Sequence, residues 1–127
     1  MKIITLLMML VPLQAFSSSK CEVVGKGPAA TVLFVYCPEN LRAEEVVKEA
    51  KTLANENFNS RANQIHYFIF NNKMKTPRNA REFEKMSEKE INKYQVASGG
   101  LNKNTNYRSY WCKKSKELID CMDLYNK

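Results

Sequence analysis

The chain has 127 residues, 20 Lys and Arg against 13 Asp and Glu, four cysteines and a single histidine. That length suits one domain with a modest core. One histidine leaves little for His-based metal or triad chemistry, and a net charge of +7 favours anionic partners.

Met1-Lys2 supplies one positive charge, Ile3 to Leu13 is apolar except for Thr5 and Pro12, and Ala15 to Ser19 is rich in small residues. This is the pattern of a secretory signal peptide. Residues 1–19 are read as that signal, cleaved after Ala15, Ser17 or Ser19, and 20–127 as a single exported domain. A bilayer span needs roughly 20 apolar residues, and no later run reaches that length, so no membrane span is expected after cleavage.

Cys21, Cys37, Cys112 and Cys121 make an even count in a small exported chain, which reads as two disulfides. No Cys-x-x-Cys pair accompanies them, so zinc spacing is absent, and neither a metal nor a cofactor is expected. Cys21 to Gly25 can form a strand before the turn Gly25-Lys26-Gly27-Pro28. A hairpin there would set Cys21 opposite Tyr36 or Cys37, within disulfide reach. The favoured pairing is therefore Cys21–Cys37 with Cys112–Cys121; bridges Cys21–Cys112 or Cys37–Cys121 are the competing arrangement.

Thr31 to Tyr36 reads as an apolar strand. After it, Asn40 is a suitable N-cap, and Ala43, Val46, Val47, Ala50, Leu53 and Ala54 recur at helical spacing. The polar run Asn55 to Ser60 ends that helix, and Ile65 to Phe70 is a second strand, apolar on both sides. Strand, helix and strand make a βαβ crossover with parallel strands.

Further on, Thr76-Pro77 reads as a helix start, and Ser87 with Glu90 as a capping box. Tyr94–Ser98 and Tyr107–Cys112 form a hairpin whose loop is Gly99 to Asn106. Ser115 to Tyr125 reads as a final helix with Leu118, Ile119, Met122 and Tyr125 on one face. The fold class is α+β: a small mixed sheet with helices mainly on one face, stapled by disulfides.

The order of segments from Thr31 to Cys112, with Tyr94-Gln95-Val96-Ala97-Ser98 and Asn102 to Tyr107, resembles small exported bacterial and phage domains. No activity is assigned to them, so the resemblance implies no functional residue.

The residues offer little for catalysis. His66 sits in an apolar strand and is read as a structural residue. The glutamates lie among lysines and arginines, as on solvated helix surfaces. Phosphate loops and Gly-x-Ser-x-Gly elbows are missing. The remaining lead is positive charge. Lys73, Lys75 and Arg78 cluster with Arg81, and Lys103, Arg108, Lys113 and Lys114 surround the last hairpin, interleaved with Tyr107, Tyr110 and Trp111. Alternation puts Tyr107, Ser109 and Trp111 on one face of the strand and Arg108 and Tyr110 on the other, with Trp111 expected in the core. The preferred function is a non-enzymatic binding module, monomeric, whose cationic surface engages a protein or an anionic envelope component rather than nucleic acid. Two alternatives stand beside it: a secreted hydrolase or nuclease using His66, and an inhibitor or immunity-type protein of an exported enzyme.

Overall fold

A computed structural model describes residues 19–28, 31–57 and 63–127. The expected signal peptide, up to Ser18, lies outside the described residues, as does the end of the polar run, from 58 to 60. Six strands form one sheet in sequential order: β1 (Glu22–Lys26), β2 (Val32–Tyr36), β3 (Gln64–Phe70), β4 (Gln95–Asn102), β5 (Tyr107–Lys114) and β6 (Glu117–Asp120). β2 and β3 run parallel and the other neighbours antiparallel. The expected α+β class and the crossover are both present.

Helix α1 (Ala43–Glu56) makes that crossover, burying Val47, Ala50, Leu53 and Ala54. Its apolar stripe meets Leu33, Val35, Ile65, Tyr67 and Ile69 of the sheet. Full burial of side chains such as Val47 and Leu53 contributes about 1.5–3 kcal/mol each. The helix starts at Arg42 rather than Asn40. Asn40 lies in a turn closed by the Leu41 N–H on the Pro38 carbonyl, and the Glu45 carboxylate accepts the Arg42 N–H at 3.2 Å.

The opposite face carries its own small core. Phe34, Phe68 and Phe70 meet Phe83 at ring-centroid distances of 5.4, 4.8 and 6.3 Å. Phe83 belongs to α2 (Ala80–Lys85), which Asn79 caps by accepting the Glu82 N–H. The expected helix start at Thr76-Pro77 is thus displaced. The Thr76 hydroxyl instead donates to the Asn72 carbonyl and closes a 3-10 turn, Lys73–Lys75. The capping box at Ser87 and Glu90 opens α3 (Glu88–Tyr94), which runs straight into β4.

Two expectations near the C-terminus give way. Gly99 to Asn102 continue β4, so the hairpin loop shrinks to Lys103–Asn106, with Asn106 at a φ of 57°. Ser115 to Tyr125 is not one helix. Ser115, at a φ of 61°, turns the chain into β6, and only Met122–Tyr125 (α4) is helical. Backbone pairing with β5 outweighs a helical spacing that spans too few residues to hold alone.

Both disulfides follow the local pairing: Cys21–Cys37, with Cα atoms 4.4 Å apart, and Cys112–Cys121, at 5.8 Å. The first ties β1 to the end of β2. The second fastens α4 under β5, where Tyr125 lies 5.9 Å from Tyr110, ring to ring. Two such bridges fit an oxidising, exported environment. No helix among the described residues is long and apolar enough to cross a membrane.

Candidate binding surface

The sheet is covered unevenly. Strand alternation and register place Leu33, Val35, Ile65, Tyr67, Ile69, Ala97, Tyr110 and Cys112 on the face beneath α1 and α4. The other face is roofed by Phe83 only above β2 and β3. Past that roof it continues as one lateral row of His66, Gly100 and Ser109, and a second of Ser98, Trp111 and Asp120, which extends the row of Phe68. Tyr107 closes this area at the start of β5, opposite Asn102.

Two aromatic side chains stand in the open here: Trp111 is 43% exposed and Tyr107 63%. This inverts one expectation. The two faces of β5 are divided as the alternation predicts, but Tyr110, 1% exposed, is the core residue, and burial pushes its phenol pKa up. Cys112 carried the missed signal. It shares parity with Tyr110, and its bridge to Cys121 draws both residues toward the core.

His66 is corrected too. It is exposed, not packed into the strand's apolar surroundings. Its ring lies over Gly100, where an added Cβ would come within 2.9 Å of His66 Nδ1. Among the described residues, no hydrogen bond engages the His66 imidazole or the hydroxyls of Ser98 and Ser109. The area therefore combines stacking surface with free donors and acceptors, and the missing side chain of Gly100 is what lets the His66 ring lie flat on the sheet. The Asp120 carboxylate, opposite Trp111, accepts the Met122 N–H at 2.9 Å.

The basic residues do not converge on this area. Lys73 pairs with Glu22 at 2.8 Å, Lys75 with Glu90 at 3.4 Å and Arg78 with Glu82 at 3.7 Å. The Glu22 carboxylate raises the pKa of Lys73. Glu90 is lowered, first by the Ser87 backbone N–H and then by Lys75. Lys113 donates to the Asn92 carbonyl. Arg108 and Lys114 are exposed, but register turns them to the opposite face, beside Leu101 and Glu117. Lys103 sits in the hairpin loop, its N–H on the Asn63 carbonyl.

No group of three His, Cys, Asp or Glu side chains among the described residues could hold a metal ion. No family model, curated protein or solved structure matches the chain.

Proposed function

We propose that this chain is an exported, disulfide-held binding module that attaches to a macromolecular component of the cell envelope without catalysing a reaction. The single observation that carries this reading is the exposure of Trp111 and Tyr107 on an uncovered sheet face. Among the described residues the other aromatics are buried or partly buried, and rigid aromatic anchors dominate the energetics of recognition surfaces. The net charge of +7, of which only Lys2 lies in the expected signal, adds a long-range attraction toward an anionic envelope, while the cations that supply it lie mostly elsewhere.

Co-sedimentation of the disulfide-bonded protein with cell-envelope material tests this. Trp111→Ala removes binding and leaves the fold intact, whereas reversing Arg108 and Lys114 to Glu weakens it little. Equal sedimentation of Trp111→Ala and wild type would sink the proposal.

One observation favours a second reading, a hydrolase built on His66: its imidazole is exposed and unengaged. General-base catalysis needs a partner within about 3 Å of the proton it removes, and across the sheet the residue beside His66 is Gly100. Turnover of envelope material that disappears in His66→Ala would establish that reading in place of the first.

A further inference from the structure

We infer that the open face binds an uncharged polysaccharide, laid along β5 between Tyr107 and Trp111. The inference rests on the binding-module reading above and names its ligand class. Tyr107 and Trp111 are four residues apart on one strand, about 14 Å, and project from the same face. They can hold a chain at two points, with several ring units between them. Aromatic faces carry negative quadrupole density, which attracts the polarised C–H groups lining one side of a sugar ring.

Between these anchors lie Ser109, then Gly100 and Ser98 on β4, and His66 on β3. Their hydroxyls and imidazole are engaged by no other described residue. Each hydroxyl can donate and accept, and neutral imidazole offers one nitrogen of each kind. A sugar chain presents the same mixture of donors and acceptors. Gly100 matters by what it lacks, because a side chain there would push the His66 ring off the sheet.

The charge of the face decides against a nucleic acid. Aromatic stacking could serve bases equally well, but a phosphodiester chain also needs cations alongside it. Register sends Arg108 and Lys114 to the far side of the sheet and leaves Lys113, which donates to the Asn92 carbonyl, as the one cation of β5 on this face. The side chain in register with Trp111 is the Asp120 carboxylate, which repels phosphate.

Trp111 is the only tryptophan in the chain, so its emission reports this face directly. The disulfide-bonded protein is titrated with cellohexaose and chitohexaose, and with oligothymidylate and heparin, at low and high salt. The expected result is a saturable change in Trp111 emission with an uncharged hexasaccharide, largely insensitive to salt. Tyr107→Ala and Ser109→Glu each weaken it roughly tenfold or more, the scale of one lost aromatic contact. Affinity electrophoresis through a gel containing the polysaccharide shows Trp111→Ala migrating unretarded and Trp111→Phe regaining part of the retardation. An emission change confined to oligothymidylate or heparin and abolished by salt overturns the sugar assignment but keeps the face as a binding surface. So does the absence of any response to both hexasaccharides while envelope binding still depends on Trp111. Envelope binding indifferent to Trp111→Ala overturns the underlying reading as well.

Discussion

Gly25 of β1 rests directly on the backbone of Arg78: a Cβ added at Gly25 would lie 2.3 Å from the Arg78 carbonyl carbon. The contact docks the 3-10 turn and its following loop onto the edge of the sheet, and main-chain atoms cannot move aside as a side-chain tip can. Gly25→Ala must therefore part the two segments, as overpacking does elsewhere at about 1–3 kcal/mol. A urea-denaturation midpoint lowered accordingly is expected. A midpoint equal to wild type would mean that the segment is only loosely seated.

Phe83 is the keystone of the second core, touching Phe34, Phe68 and Phe70. Phe83→Ala is expected to cost about 3 kcal/mol, the lower end for phenylalanine truncation, because the ring is only partly buried. The core under α1 does not contain Phe83, so far-UV circular dichroism should retain its helical signal while the denaturation midpoint falls. Loss of both together would show that the two faces fold as one unit.

The two bridges differ in loop length and in cover. Cys21 and Cys37, 2% and 1% exposed, close 16 residues; Cys112 and Cys121, partly buried, close nine. Chain-entropy reasoning gives about 3 kcal/mol for the longer loop and slightly less for the shorter. Thiolate attack also needs access. Graded dithiothreitol followed by alkylation and mass spectrometry should open Cys112–Cys121 first. Simultaneous opening would remove the distinction.

Much of this architecture was legible because local signals agreed with the fold. The stripe from Val46 to Ala54, the apolar runs around Phe34 and Ile69, and the cysteine spacing all point to a stapled crossover. The failures lie where a local signal was absent or pointed two ways. Ser115 takes a left-handed turn that usually advertises itself through glycine or asparagine, so β6 was hidden behind the helical spacing of Leu118, Ile119 and Met122. Gly99 and Gly100 look like a loop, yet they are flat strand positions that make room for Tyr67 and His66. The candidate surface was half visible: alternation grouped Tyr107, Ser109 and Trp111, but which face is buried depends on α4 and Cys112, a long-range fact. The basic residues invited attention, and the ion pairs that occupy Lys73, Lys75 and Arg78 involve glutamates up to 51 positions away.

Glu45 sets an acid limit on stability. Its carboxylate accepts from the Lys20 ammonium at 2.6 Å and from the Arg42 N–H at 3.2 Å, and in that order these lower its pKa from an ordinary 4.5 to about 2. Because the folded value lies below the unfolded one, its stabilising contribution is complete above pH 4.5. It is then lost as the pH falls toward 2, where the folded protein must also take up the proton. Glu45→Gln keeps an acceptor for the Arg42 N–H but has no charge to titrate. The variant should be less stable than wild type at pH 6, and the gap should narrow steadily between pH 4.5 and 2. Lys20 is 60% exposed, so salt will weaken the pair, and the gap at pH 6 should shrink in high salt. Thermal midpoints across that pH range, at two ionic strengths, measure both effects. A gap that stays constant with pH would place the stabilising role of Glu45 in packing rather than in charge.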